Sequence, residues 1–487
     1  MITASHLYQY VSCPRWPRNE FHGDPKDKRG PSEFLKKLLA DGVHHEEAVY
    51  ADLQPARVTY PMGDFEAGAA ETARLMRAGQ ALIAQAVLRA DRRVGIVDLL
   101  ERRPGSSALG DFTYEPVEIK NARSIKPVYR LQLAFYAHLL EPTLGAWPEC
   151  AHVILVDGRR EAFPLAKVRP DYERMVAGLE AVIDSGEAPV HISSTCGECP
   201  WEHPCLVEAE RTRDLTLTYG LQRRVASALR QRGVRTLAQL AASDPQVIAR
   251  WALIGLGQAQ VLVTQAQVLE SGEARWKGAP QFEQPEVELF FDIEGDPEHD
   301  IMYLFGVLTR AKNGAEDYRA FVAEDPAEEG RAFRELLAYV ESHKGAPIYH
   351  YHHYERAAIK SLAERHRIEP ARAPAILARM RDLHKDLAAS VVLPVYSYSL
   401  KAVAKRLGYR WTHPDASAAQ SMFWYSAWLK SGERSLLDFA VEYNADDCRA
   451  TRRLKEWLAD GPGTPFEPDG PENDEPAAVA RRARSPV

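Results

Sequence analysis

Two sets of acidic residues have the types and spacing needed to hold a divalent cation against a phosphate. Asp98 closes the run Gly95-Ile96-Val97-Asp98, and Glu118 and Lys120 follow in Glu118-Ile119-Lys120. Asp292 and Glu294 stand two apart in Phe291-Asp292-Ile293-Glu294, and Tyr443-Asn444-Ala445-Asp446-Asp447 comes far downstream. In each set the first carboxylates close an apolar run that reads as a strand, which would hold them still. Carboxylates sharing a cation let it lower the pKa of bound water and stabilise charge on a scissile phosphate, and a nearby lysine orients or activates that water.

The elements that must position these groups are legible in outline. Residues 93–101 and 114–120 read as neighbouring strands joined through a turn at Pro104-Gly105-Ser106-Ser107, which brings Asp98 beside Glu118. Alternation places Glu118 and Lys120 on one face. A first helix runs through Leu7 and Val11, capped by Thr3 or Ser5 and ended at Cys13-Pro14. A second runs from Ser32 past Gly42 to Val49 and carries the polar pair His45 and Glu46. A third, rich in alanine, is expected from Glu71 to Ala90. Gln132 and Tyr136, four apart, share a helical face and are the expected nucleic-acid-binding residues of this part of the chain. Downstream, residues 287–295 read as a buried strand with Asp292 and Glu294 on the same side, and residues 302–308 as the next. Residues 347–355 read as a strand running into a helix, with His350, His352 and His353 along one strand edge as metal ligands or as packing and substrate residues.

At 487 residues the expectation is about three domains rather than one core. A formal net charge of −7 argues against a strongly basic nucleic-acid coat, although carboxylate sites and an acidic tail can mask basic tracks. No apolar run approaches the ~20 residues that span a bilayer, and the N-terminal residues lack the basic and apolar regions of a signal peptide, so a cytoplasmic protein is expected. Cys196, Cys199 and Cys205 fall in one short segment, with Cys13 near the N-terminus. That clustering favours a metal or cluster site over disulfides. Thiolates so spaced suit zinc or an iron–sulfur cluster. Cys150 and Cys448 read as small buried residues. With no G-x-x-x-x-G-K-[ST] stretch, unwinding would need a helicase partner.

Residues 1–207 resemble the RecB-type branch of the PD-(D/E)XK nucleases, in particular the iron–sulfur members among AddB proteins and CRISPR-associated exonucleases. The matching pieces, in order, are Cys13-Pro14-Arg15, Gly42-x-x-His45-Glu46, Gly95-x-x-Asp98, Glu118-x-Lys120, Gln132-x-x-x-Tyr136, Cys196-x-x-Cys199-Pro200 and Cys205. The resemblance implies that His45, Asp98, Glu118 and the Ile119 carbonyl bind Mg²⁺ or Mn²⁺, with His44 the alternative to His45. It places Lys120 at the attacking water and assigns Cys13, Cys196, Cys199 and Cys205 to a [4Fe-4S] cluster, with zinc as the alternative.

Residues 208–280 read as a helical connector, with helices over 219–230, over 233–241 and from Asp244 onward. Within it, Ile254-Gly255-Leu256-Gly257-Gln258-Ala259 resembles the turn of a helix-hairpin-helix module, in which Gly255 and Gly257 would let backbone N–H groups approach a nucleic-acid phosphate. Arg223, Arg224, Arg230, Arg232 and Arg235 would add backbone contacts. A plain helical linker is the alternative.

Residues 285–460 resemble the DEDD superfamily of 3′-5′ exonucleases, which have an RNase H-like fold, and specifically its YprB-like branch. Asp292 and Glu294 match the first motif. Glu355 matches the second, where most of the superfamily has Asp. The run from Tyr396 to Lys401 with Leu407-Gly408 matches the segment before the third motif, and Tyr443-x-x-x-Asp447 matches that motif, selecting Asp447 over Asp446. The resemblance implies that Asp292, Glu294, Glu355 and Asp447 hold two cations and that Tyr443 orients the water. Residues 461–487, rich in Pro, Gly and acidic residues and ending near Arg481, Arg482 and Arg484, read as a disordered tail.

The expected protein is thus an α/β multidomain chain: a PD-(D/E)XK restriction-endonuclease-like domain, a helical connector and an RNase H-like exonuclease domain. Its expected activity is metal-dependent cleavage of DNA at single-stranded or frayed ends. RNA processing, or nucleic-acid binding with one non-catalytic module, are the alternatives.

Overall fold

A computed structural model describes residues 1–297 and 299–467. The expected tail lies outside the described residues from 468 onward, Arg481, Arg482 and Arg484 included. Before that point the chain folds back, and the Trp457 indole donates to the Pro465 carbonyl at 3.2 Å. The contacts divide the chain into two units: Met1–Pro189 with Gly197–His203, and Val190–Cys196 with the chain from Pro204 on.

In the first unit, α1 (Ala4–Ser12) begins at Thr3, which forms a capping box with His6, and ends at Cys13. It is followed by α2 (Arg15–His22). The next helix, α3 (Glu33–Leu53), is capped by Ser32 and runs through Gly42 without a break. A short strand β1 (Ala56–Arg57) and helix α4 (Phe65–Arg77) follow. The expected helix over 71–90 does not form as one piece. It stops at Arg77, Gly79 takes φ +71, and Leu82–Ala90 is the strand β2. Its alanines and leucines favour helix locally, but burial of Ile83, Ala84, Ala86 and Val87 within the sheet layer overrides that preference.

Strand β3 (Arg93–Ser107) also departs from expectation: it runs through Pro104-Gly105-Ser106-Ser107, with a register irregularity there, and the turn comes at Ala108 and Leu109. The remaining elements are β4 (Gly110–Lys120), α5 (Pro127–Leu144), β5 (Cys150–Leu155), β6 (Arg160–Pro164) and α6 (Arg169–Ser185). The six strands lie in sequence order. β2, β3 and β4 are antiparallel, and β5 returns parallel to β4 after the α5 crossover. α5 packs on this sheet through Leu133, Phe135, Tyr136 and Leu140.

The second unit opens with helices. α7 (Glu202–Arg211) leads to α8 (Arg223–Gln231), α9 (Leu237–Ala241), α10 (Pro245–Ala252) and α11 (Leu256–Ser271). α8 starts at Arg223 rather than Tyr219 because Gly220, at φ +76, turns the chain first. α10 and α11 meet at a 118° bend. No single helix among the described residues is long and apolar enough to cross a membrane.

After β7 (Arg275–Trp276) come β8 (Val287–Asp296), β9 (Ile301–Ala311), β10 (Glu316–Val322), α12 (Glu329–Ser342) and β11 (Ile348–His350). They are followed by α13 (Tyr354–Arg365), α14 (Arg372–Leu377), β12 (Met380–Asp382), α15 (Leu383–Ser390) and β13 (Val391–Val392). Helices α16 (Leu400–Arg406), α17 (Ala418–Ser431) and the long α18 (Arg434–Asp460) complete the unit. The five-stranded sheet has the order β10-β9-β8-β11-β12, its first three strands antiparallel and β8, β11 and β12 parallel. β8 is covered on both faces, with Leu289 and Phe291 in one core and Phe290 in another, which is why its apolar run is nearly continuous. Each buried phenylalanine contributes roughly 1.5–3 kcal/mol.

Candidate active sites

The second acidic set closes into a cluster. β8 presents Asp292 and Glu294 on one face, and α18 crosses the sheet to bring Asp447 against them. One ligand oxygen from each of Asp292, Glu294 and Asp447 lies within 4.8 Å of the others. Among the described residues this is the one group of three or more His, Cys, Asp or Glu side chains that converges in this way. Burial and mutual repulsion push the Asp292 and Glu294 carboxyls well above the usual carboxylate range. Asp447 is pushed up to about 7, chiefly by burial and against the pull of Trp411 and Lys401.

Residues that sequence reasoning passed over hold the cluster in place. The Asn444 amide donates to Asp292 Oδ2 at 2.7 Å, and Asn444 and Ser421 both hydrogen-bond Glu294. Asn444 is itself held by the Tyr318 hydroxyl, 2.8 Å from its Oδ1. Gly306, opposite Asp292 on β9, makes room: a Cβ there would lie 1.6 Å from Asn444 Oδ1. The one legible signal was that glycine inside an apolar strand, which marks a close approach. The Trp411 indole donates to Asp447 Oδ1 at 2.7 Å.

Tyr443 is hydrogen-bonded to Asp447, and burial followed by that carboxylate drives its phenol strongly upward, so it stays protonated. Asp446 faces elsewhere, taking the Tyr409 hydroxyl at 2.8 Å and the Thr412 N–H at 2.7 Å. Glu355 is not in the trio. It sits buried in the first turn of α13, paired with His350 Nδ1 at 3.3 Å, and burial raises its carboxyl. The expected row of histidines does not form either, because β11 ends at His350. His352 takes φ +77 with its N–H on Asp382 Oδ1 at 3.0 Å, and its ring meets His353.

In the first unit, the β3–β4 ladder runs from Ser107/Gly110 to Leu99/Val117, and Asp98 and Glu118 lie one step beyond it. There the Asp98 carboxylate takes the Ile119 N–H at 2.8 Å. Glu118 is fully buried, and its Oε2 accepts from the Lys120 ammonium. Burial, then Glu118, raises the Asp98 carboxyl. Burial pulls the Lys120 ammonium down, but Glu118 and Asp98 more than reverse it.

Gln132 donates to the Tyr136 hydroxyl at 3.0 Å, and burial and Glu118 drive that phenol upward. The Tyr136 ring lies against Gly95, where a Cβ would come within 2.7 Å. Glu46 is drawn in as well: burial and Glu118 raise its carboxyl, and the Gln85 amide donates to it at 3.4 Å and to the Tyr50 hydroxyl at 2.9 Å. Tyr50 in turn donates to the Asp98 carbonyl at 3.0 Å.

Whether these residues suit a cation can be read from their unpaired atoms. Glu118 Oε1 and His45 Nε2 are buried with no hydrogen-bond partner, whereas His44 is exposed. The open, buried Glu118 oxygen, on the strand paired with that of Asp98, suits a divalent cation, whereas His45 does not join Asp98 and Glu118 in a converging set of ligand atoms among the described residues. Three enclosed carboxylates in the second unit suit one still better, since they cannot all ionise together without it.

Of the cysteines, Cys13 caps α1, Cys196 Sγ accepts the Ser193 N–H at 3.3 Å, Cys199 is buried and Cys205 lies in α7. Cys448 is buried against the Gly306 carbonyl and Cys150 lies half-buried on β5. Gly255 and Gly257 sit at the bend where α11 begins, with open space around both. Arg230 is committed internally, to Asp214 at 2.8 Å and to the Val190 carbonyl.

Residues 289–459 match the family model of the RNase H superfamily. This segment is RNase H-like. The match spans β8 to α18 and so contains every residue of the Asp292–Glu294–Asp447 cluster. It suggests a nuclease, and the acidic cluster could hold a divalent metal. No curated protein matches the chain.

Proposed function

We propose that the protein is a metal-dependent nuclease with two catalytic modules, acting on DNA at single-stranded or frayed ends. Residues 285–460 form a 3′-5′ exonuclease module and residues 1–207 a PD-(D/E)XK-type module, joined by the helical connector over 208–280. The observation that carries this reading is the convergence of Asp292, Glu294 and Asp447 inside the RNase H superfamily segment.

In the exonuclease module these three carboxylates would hold Mg²⁺ or Mn²⁺, and Glu355 of α13 is assigned as a further ligand by its sequence pattern. A bound cation lowers the pKa of water and stabilises charge on the leaving oxygen. Tyr443, protonated and fixed on Asp447, orients the attacking water. Asn444 keeps the Asp292 and Glu294 oxygens from rotating away, which preserves the geometry between turnovers.

In the first module, the open Glu118 Oε1, on the strand paired with that of Asp98, supports a cation site to which His45 is assigned by its sequence pattern, and Lys120, bonded to Glu118, would orient water. An antiparallel β2-β3-β4 layer followed by a parallel β5 after the α5 crossover supports the same assignment. We also assign Cys13, Cys196, Cys199 and Cys205 to a [4Fe-4S] cluster on the strength of their sequence pattern, with the N–H···S bond at Cys196 in keeping with a thiolate. Gly255 and Gly257 are assigned to the nucleic-acid backbone, and a helicase is the partner that would supply ends.

The test is cleavage of end-labelled single-stranded DNA and matched RNA with Mn²⁺ or Mg²⁺. Intact substrate in every condition would reject the reading. RNA loss without DNA loss would reject DNA as the substrate. Brown colour and iron in an anaerobic preparation support the cluster, and colourless protein with stoichiometric zinc rejects it.

A further inference from the structure

The segment between α16 and α17 touches the adjacent acids of α18 at three points. The Tyr409 hydroxyl reaches Asp446 Oδ1, the Thr412 N–H reaches Asp446 Oδ2, and the Trp411 indole N–H reaches Asp447 Oδ1. Asp446 is therefore held at both oxygens, while Trp411 takes one oxygen of the acid that faces Asp292 and Glu294. An indole N–H can only donate, so it cannot compete with the carboxylates for a cation; together with the Tyr443 hydroxyl, which also bonds Asp447, it fixes the rotation of that carboxylate.

The indole itself is well held. Trp411 is 6% exposed, and the Tyr409 ring meets it edge-on with centroids 4.8 Å apart. The Lys401 ammonium lies 5.6 Å from the Trp411 ring and 5.9 Å from the Tyr443 ring, and it donates to the Ala416 carbonyl. Lys401 thus braces the two aromatic side chains that share Asp447. The stretch leading into α16 is anchored separately: buried Gln265 of α11 donates to the Leu393 carbonyl at 2.7 Å and accepts from the Tyr398 hydroxyl at 3.2 Å.

We propose that Trp411 is a positioning residue of the exonuclease site: its indole N–H, held on Oδ1 of Asp447, fixes the carboxylate rotamer that would meet the cation shared with Asp292 and Glu294. The inference rests on the metal-site reading given above. Hydrogen-bond partners of metal ligands commonly set affinity by about 10–100-fold, and a fixed carboxylate rotamer is the means here.

The experiment uses the full chain carrying Asp98→Asn, so that Mn²⁺ reports on the second site, and compares Trp411→Phe and Tyr409→Phe in that background. Mn²⁺ binding is followed by electron paramagnetic resonance and cleavage by kcat and KM. Trp411→Phe keeps a packed ring and loses the N–H. We expect Mn²⁺ affinity to fall about tenfold or more and kcat to fall with it, with KM for the nucleic acid unchanged. Tyr409→Phe, which frees only Asp446, keeps Mn²⁺ affinity within about twofold of its parent.

Trp411→Gln restores an N–H donor without the indole and regains part of the loss relative to Trp411→Leu. That pair also serves if the phenylalanine variant is poorly folded. Wild-type Mn²⁺ affinity in Trp411→Phe overturns the inference. If the parent binds Mn²⁺ and Trp411→Phe binds it weakly while neither cuts nucleic acid, the positioning role stands and the nuclease reading falls. Absence of Mn²⁺ binding in the parent overturns both.

Discussion

The Asn444 amide, 2.7 Å from Asp292 Oδ2, ties the helix that carries Asp447 to the strand that carries Asp292 and Glu294. The two residues are 152 positions apart, and their bond fixes the distance between the acidic motifs. Asn444→Ala leaves an enclosed carboxylate with one partner fewer, a loss of about 1–3 kcal/mol. We expect a denaturant midpoint shifted by that amount and Mn²⁺-dependent cleavage reduced at least tenfold. Asn444→Asp should do worse without metal, because it adds a fourth negative charge to the cluster.

Gly306→Ala tests the space beneath that amide. Its methyl would fall on Asn444 Oδ1, so the strand or the helix must move. Overpacking of this kind costs about 1–3 kcal/mol. Gly42→Ala, at an open position inside α3, should instead be neutral or stabilising by up to about 1 kcal/mol. Urea melts of both variants check the contrast.

The acidic cluster makes stability depend on pH in a stated direction. Asp447 ionises near pH 4 in the unfolded chain and is pushed up to about 7 when folded. Between those values the folded state binds more protons than the unfolded one, so stability of the metal-free protein falls as pH rises from about 4 to about 7. Asp292 and Glu294, shifted the same way, add to the trend. Bound cation replaces the missing protons, so Mn²⁺ should raise the melting temperature more at pH 8 than at pH 5. An equal increment at both would contradict the electrostatic account.

Lys120→Met separates the two sites. It removes the cation partner of a fully buried Glu118, and breaking such a pair typically costs about 3–5 kcal/mol. Cleavage assigned to the first module should vanish, while the fraction removed by Asp292→Ala persists. Loss of all activity with either substitution alone would mean a single working site.

Much of this arrangement could be read from local pattern. Strand alternation puts Asp292 and Glu294 on one face of β8, and the pairing of β3 with β4 sets Asp98 beside Glu118. The helical step from Tyr443 to Asp447 singles out one of two adjacent acids. The contacts that cross long stretches of chain could not be read: Asn444 to Asp292 and Trp411 to Asp447 each depend on tertiary packing. Strand β2 was misread because alanine, leucine and arginine favour helix on their own, and only the sheet beside them decides otherwise.

Strand β2 carries one more consequence. Gln85 sits at φ +52 within the strand, outside the ladder that joins its neighbours to β3, and from there its amide reaches Glu46 and Tyr50. A left-handed backbone costs a non-glycine residue about 1–2 kcal/mol. Glycine at this position would relieve that backbone cost and lose the amide that ties Glu46 to Tyr50, so the strand gives up stability to hold a polar link beneath the Asp98 carbonyl.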